Sequence, residues 1–195
     1  TTLLPDAISA LSATPLWAEA GTVQITTMPV VRQVALRRAE LGLNTLSHHQ
    51  HEVDLVASFA VPYHVILPAA HPLAHRASLG LTDLSGVDYV GFDDSTVSGQ
   101  TQGRLFSTLK RGPKLVLRAY LSSVVSAFVS RGFGLSIVDP WTAAQHRRSG
   151  GLSLPFESAE RMQISLLKPL GTSLSPIAKA LAAELEAQIV AQIPS

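Results

Sequence analysis

Cysteine is absent from all 195 residues, which excludes disulfides, thiolate zinc sites, iron–sulfur clusters and cysteine nucleophiles together. That suits a reducing compartment, and the cytoplasm is the expected location. Charge is sparse as well: charged residues make up 15% of the chain, and 15 Lys and Arg balance 14 Asp and Glu to a net +1. The basic residues are scattered, with no stripe to track a phosphate backbone, so the chain is not expected to bind nucleic acid by itself. No apolar run approaches the roughly 20 residues of a membrane span, and no membrane association is expected. The opening "TTLLPDAISALSATP" lacks the basic segment of a secretory signal, although a cleaved export product would read the same. No GxSxG elbow, Walker A loop or strand-following GxGxxG occurs, so neither enzymatic activity nor a cofactor is expected.

What is present is apolar content of 46%, enough to bury a core as one large domain or two small ones. Short β-type runs alternate with helical stretches from end to end, the pattern of α/β architecture with largely parallel sheets. "LLPDAISAL" predicts a first helix with Ile8 and Leu11 inward, ending near Pro15. "TVQITTM" predicts a strand, "PVVRQVALRRAE" a helix with Val30, Val31 and Val34 inward, and "LGLNTL" a strand, together a right-handed βαβ unit. After the polar loop "SHHQHEV", two β-rich runs, "VDLVAS" and "YHVILP", lead through "AAHPLAHRAS" and "LTDLSG", where Leu81 and Leu84 form an apolar pair. The second half cycles through strand "VDYVGF", helix "SGQTQGRLFSTLKRG", strand "KLVLRAY", helix "LSSVVSAFVSRG" and strand "GLSIVD". Gly132 is expected to end a helix in a left-handed conformation, and Arg147 and Arg148 to form a solvated helix end. "RMQISLLKP" predicts a strand, and "SLSPIAKALAAELEAQIVAQI" a helix with apolar positions at Ile177, Leu181, Leu185, Ile189 and Ile193.

Four stretches carry a resemblance: "LLPDAISALSATP", "VILPAAHPLAHRASLGLTDLSG", "AYLSSVVSAFVSRGFGLSIVDP" and "ISLLKPLGTSLSPIAKALAAEL". In their order and spacing the chain resembles, over nearly its whole length, the effector-binding domain of LysR-type transcriptional regulators. The "DPWTA" ending is similar to members that sense amino-acid-like or opine-like compounds. The resemblance implies two α/β subdomains joined by two crossover strands, like a type II periplasmic binding protein, with a small effector held in the cleft between them. The crossovers would fall near Ala60 to His64 and Arg161 to Leu166. Residues 1–61 with 162–195 would then form regulatory subdomain I, and residues 62–161 regulatory subdomain II. The family also carries an N-terminal winged helix-turn-helix and a linker helix, which nothing here supplies. The expectation is a sensing domain that does not read DNA unaided, trimmed of one central strand of its first sheet.

In open α/β sheets, ligands sit beyond the carboxyl ends of strands, where helix N-termini offer unpaired N–H groups. Thr1 and Thr2 begin the first helix; Asp94, Ser95, Thr96 and Ser98 lie in "DDSTVSG" before another; Ser122 and Ser123 open a third. Each of these residues can equally be an ordinary helix cap. The resemblance makes the Thr1/Thr2 and Ser95/Thr96 pairs effector contacts. Hydroxyls and helix N-termini suit a carboxylate, and Asp93, Asp94 or Asp139 could pair with a cationic group, so an amino-acid-like zwitterion is the specific expectation. His71 is expected as a turn residue before Pro72, and Trp141 and Phe92 as core or cleft wall.

The loop "LSHHQHEVDL" packs His48, His49 and His51 into four positions. A tetrahedral metal site needs further ligands that the sequence does not obviously supply, so the loop reads as a polar connector or as cleft wall, with Ser47 and His48 nearest the ligand. A His48 lining the site would make effector affinity pH-sensitive near neutrality.

The expected partners are a small-molecule effector and a second copy of the chain, with a tetramer in the full-length protein and DNA reached only through the missing domain. Family pairing is antiparallel, and Val124, Val125 and Phe128 could serve such a face or simply pack on their own sheet. Two alternatives of other classes stay open: an extracytoplasmic solute-binding protein of a transporter, and a metal-dependent enzyme built on the histidine loop.

Overall fold

The computed structural model describes residues 3–20, 24–25, 29–45 and 51–193. The chain divides into two compact units, Leu3–Val61 with Gln163–Ser195, and Pro62–Met162. It passes from the first to the second after Val61 and returns after Met162. No described helix is long and apolar enough to cross a membrane.

The first unit contains α1 (Leu3–Ser12), α2 (Pro15–Glu19), α3 (Val30–Ala35), β1 (Gly42–Asn44), β2 (Val53–Val61), most of β9 (Met162–Pro169) and α7 (Pro176–Val190). Its sheet runs β1-β9-β2, with β1 antiparallel to β9 in the register Gly42↔Leu167 to Asn44↔Ser165. The buried line of α1 is Leu3, Ala7 and Leu11, spaced by four, and that helix packs against α7. Ile8, expected inward, is only half-buried. On α7 the buried line is Ala178, Ala182, Leu185 and Ile189. It is offset by one residue from the expected stripe at its start: Ile177 and Leu181 are half-buried and Ile193 is exposed. Close packing selects the small Ala178 and Ala182, a choice hydrophobicity alone does not reveal.

The helix expected over "PVVRQVALRRAE" stops at Ala35. Arg37 adopts a left-handed backbone with φ 56°, Arg37 N–H donates to the Val34 carbonyl at 2.9 Å, and Arg38 N–H to that of Gln33 at 2.8 Å. This is a Schellman-type end in which arginine occupies the position that glycine usually takes. Val34, Val53 and Leu167 form the core under α3. The expected βαβ unit cannot be traced, because "TVQITTM" lies almost wholly outside the described residues; the observed partner of β1 is the antiparallel β9.

The second unit contains β3 (His64–Leu67), β4 (Leu79–Gly80), β5 (Asp88–Phe92), α4 (Val97–Ser107), β6 (Lys114–Ala119), α5 (Ser122–Ser130), β7 (Ser136–Val138), α6 (Pro140–Arg148) and β8 (Leu152–Glu157). A four-stranded sheet runs β4-β8-β3-β7, and β5 pairs with β6 in parallel. A parallel bridge between Tyr89 and Leu135 joins the two sheets. The strands β5, β6 and β7 therefore end at one edge. The antiparallel β3 begins there, with His64 opposite Val138. Ile66, Val90, Phe92, Val125, Val129, Val138 and Ala143 make the core between this sheet and the helices α5 and α6.

Strand β8 is not among the expected strands; β3 supplies its partner along Leu67↔Leu152 to His64↔Pro155. Gly132 ends α5 at φ +86°, in the left-handed conformation expected of it. Gly134 allows a close approach, because a Cβ there would stand 2.2 Å from the Asp88 carbonyl oxygen.

Candidate functional site

The edge where β5, β6 and β7 end is also where α4, α5 and α6 begin, so three helix N-termini gather at one side of the second unit. The three are capped differently, and that difference decides which groups remain available.

At α4, Thr96 is the cap: its Oγ1 accepts from Gly99 N–H at 2.9 Å and donates to the Asp93 carbonyl at 2.7 Å. Asp93 Oδ1 accepts from the backbone N–H of Ser95 at 3.0 Å and from its hydroxyl at 2.6 Å. Those bonds, the hydroxyl's first, hold the Asp93 carboxyl below the ordinary carboxylate range. A Cβ on Gly99 would stand 2.1 Å from the Asp93 carbonyl oxygen, so the first turn closes only on glycine. In "DDSTVSG" the polar groups of Asp93, Ser95 and Thr96 are thus engaged locally. Asp94 turns to Arg118 at 3.1 Å, an exposed pair worth about 0–1 kcal/mol.

At α6, Asp139 is the cap. Its Oδ1 accepts from Thr142 N–H at 2.8 Å and its Oδ2 from the Thr142 hydroxyl at 2.5 Å. Asp139 is buried, so pairing with a ligand cation would compete with this cap.

At α5 the cap position is Leu121, with no side-chain cap among the described residues. Ser122 and Ser123 occupy the first two helical positions, where backbone N–H groups have no intrahelical acceptor. They are therefore not the caps that sequence left possible. Both line a groove of about 420 Å³ along α5 and α6, whose other walls include Ser126, Ser130, Arg131, Thr142 and Gln145.

A buried histidine lies between these helices. His146 is fully enclosed; its Nδ1 accepts from the Ser126 hydroxyl at 2.9 Å, and its Nε2 donates to the Leu67 carbonyl at 3.0 Å. Burial, opposed by the Leu67 bond, holds its pKa below the usual imidazole value. His64, at the start of β3, has an Nδ1 buried without a hydrogen-bond partner among the described residues. Burial first, then the charge of Arg147, lower its pKa against the opposing charge of Asp139. Sequence reading passed over both histidines, because "YHVILP" shows a strand and His146 follows no motif.

The structure thus gathers Ser122 and Ser123 in one groove, with Asp139 joined to it through Thr142, and places Asp94 with Arg118 in a smaller cavity on α4. Ser95, Thr96 and Ser98 sit at the start of α4 and do not line the groove. Thr1, Thr2, Ser47, His48 and His49 lie outside the described residues. Among the described residues no group of three or more His, Asp or Glu is placed to hold a metal ion. His71 caps the turn Pro72–His75, its Nδ1 accepting from Leu73 N–H at 3.2 Å. Trp141 and Phe92 are both buried.

Solved structures share the fold. The effector-binding domain of QuiR, in complex with shikimate, matches with a TM-score of 0.72 at 16% identity, covering 98% of this chain and 92% of that one. The BenM effector-binding domain with its effector benzoate matches at 0.71 and 16% identity, covering 97% and 86%. Among curated proteins, the transcriptional activator protein LysR of Escherichia coli (strain K12) is 26% identical over 154 residues, 79% of this chain and 50% of the relative. The Hca operon transcriptional activator HcaR of the same organism is 30% identical over 108 residues, 53% of this chain and 36% of the relative. The chain therefore spans half or less of the length of these two regulators. The model of the LysR substrate binding domain matches residues 1–189, and over that span, with two α/β units of the same fold as solved effector-binding domains, the chain belongs to the LysR substrate-binding domain family.

Proposed function

We propose that this chain is the ligand-sensing part of a LysR-type transcriptional regulator, in which binding of a small carboxylate or amino-acid-like effector controls DNA binding and transcription by the whole protein. DNA would be read by another part of that protein. The two units would act as regulatory subdomains I and II, and the regulator would work in the cytoplasm. The observation that carries the effector chemistry is the start of α5, which has no side-chain cap among the described residues and where Ser122 and Ser123 offer two hydroxyls beside the first backbone N–H groups of the helix. A ligand carboxylate would supply the missing cap. For an ammonium group, Asp139 is joined to the groove through Thr142 but is engaged as a cap, and Asp94 lines a separate cavity. The curated relatives carry the names of transcriptional regulators, which favours this reading over a transporter's solute-binding protein or a metal-dependent enzyme.

Pairing with a second copy fits the same reading. Tyr120, Leu121 and Val124 are exposed at 58%, 56% and 39%, whereas Val125 and Phe128 belong to the unit's own core.

The test is a thermal-shift screen of L-amino acids and small carboxylates, followed by titration of the strongest stabiliser against Ser122→Ala and Ser123→Ala. Loss of a hydrogen bond to a charged group costs about 1.5–3 kcal/mol, so each variant should weaken binding by roughly 10-fold to 100-fold. A panel that stabilises nothing, or a stabiliser indifferent to both serines, refutes the assignment.

A further inference from the structure

Behind the α5–α6 groove stands a titratable ring that does not itself line it. His146 is wholly enclosed, yet its Nδ1 lies 2.9 Å from the hydroxyl of Ser126, and Ser126 lines the groove. The other ring nitrogen fixes the direction of that bond. The Leu67 carbonyl can only accept, so Nε2 carries the proton of the neutral ring, Nδ1 is the acceptor, and the Ser126 hydroxyl donates inward. Ser130, another groove residue, stands 3.4 Å from Nδ1, but its hydroxyl donates to the Ser126 carbonyl at 3.0 Å, which leaves Ser126 as the link.

A second proton on the ring reverses one bond and strands no partner. Nδ1–H then donates to Ser126 Oγ, Nε2–H still donates to Leu67, and the Ser126 proton is released toward the groove. Burial opposes that charge. The ring has no resident counter-ion among the described residues, because the charged groups on the elements packed around it are turned to other partners. On α5, Arg131 donates to the Ala127 carbonyl at 2.9 Å. On α6, Asp139 holds Thr142, Arg148 donates to Gln145 at 3.3 Å, and Arg147 donates to Ser153. On β8, Glu157 accepts from Ser78, and on β3 the titratable group is His64, whose Nδ1 has no hydrogen-bond partner among the described residues.

We propose that the groove takes up one proton from solvent with an anionic ligand: the ligand carboxylate accepts from the Ser126 hydroxyl, Ser126 Oγ accepts from His146 Nδ1, and the buried ring holds the added proton. This rests on the α5–α6 groove being the effector site. Binding then raises the pKa of His146, so affinity rises as pH falls, by at most about tenfold per pH unit. The probe is trifluoroacetate, which stays ionised throughout, titrated into the 195-residue chain at pH 7.5 and 5.5 by ¹⁹F NMR, with the histidine ring nitrogens followed by long-range ¹H–¹⁵N correlation. Saturable binding about threefold or more tighter at pH 5.5 is expected, with the His146 midpoint raised by about half a pH unit or more at saturation. Ser126→Ala should abolish both effects. A wild-type midpoint that saturating probe does not move, affinity that is equal at the two pH values, or a pH dependence that survives Ser126→Ala overturns the linkage and leaves the groove as the effector site. The wild-type midpoint decides the matter even where the variant fails to fold. Absence of saturable binding at both pH values also overturns the linkage, while the effector site itself stands or falls with the screen of amino acids and carboxylates.

Discussion

Replacement of His146 by alanine should destabilise the second unit by an amount that shrinks as the solution is acidified. At neutral pH the ring is wholly buried and bridges α5, α6 and β3 through the Ser126 hydroxyl and the Leu67 carbonyl. Truncation leaves that carbonyl unpaired, at about 1–3 kcal/mol, and opens a ring-sized void, so a total of about 3–5 kcal/mol is expected above pH 7. The folded pKa of His146 is depressed, chiefly by burial, so the unfolded chain takes up the proton first as pH falls. The stabilisation is therefore complete above the unfolded value of about 6.5 and is lost below it, by up to about 1.4 kcal/mol per pH unit. His64 and His71 are depressed in the same direction, but they remain in both proteins and cancel in the difference. Asp54 and Asp93 are lowered from 3.8, so their losses fall in a separate, more acidic window. Urea denaturation followed by tryptophan fluorescence at pH 7.5, 6.5 and 5.5 measures the gap between wild type and His146→Ala. A gap that is constant or widens toward pH 5.5 refutes the assignment of His146 as a buried neutral ring.

Gly151→Ala should cost about 1–3 kcal/mol, because its Cβ would stand 2.1 Å from His146 Nε2; in a His146→Ala background the cost should largely vanish in a double-mutant cycle. Thr96→Ala should lose about 0.5–2 kcal/mol with the α4 cap while Thr96→Ser holds stability, and equal urea midpoints for the two variants would count against the capping role. Arg37→Gly should raise stability by about 0.5–1 kcal/mol by relieving a left-handed arginine, and a lowered urea midpoint would contradict the Schellman assignment.

Much of the element order is written in local pattern. The apolar run of "VDYVGF", Leu11 on the inner face of α1, and Gly132 at a helix end depend on near neighbours, so the residues themselves disclose them. The family resemblance rests on the same ordered pattern, and the match over residues 1–189 agrees with it. Other features needed partners far along the chain. Strand β8 forms through pairing with β3, and the buried line of α7 is chosen by what can pack against small alanines. Ser, Thr and Asp at three helix starts look equivalent as letters. The structure separates them, engaging Thr96 and Asp139 as caps while Leu121 leaves α5 uncapped above Ser122 and Ser123. Likewise His146 reaches Leu67, 79 residues away, through a contact that no spacing rule encodes. Local periodicity thus determined what the elements are, because it depends on residues a few positions apart. Tertiary structure decided which polar groups remain available for a ligand, because a hydrogen bond already made within the fold is set by where the returning chain places its partner.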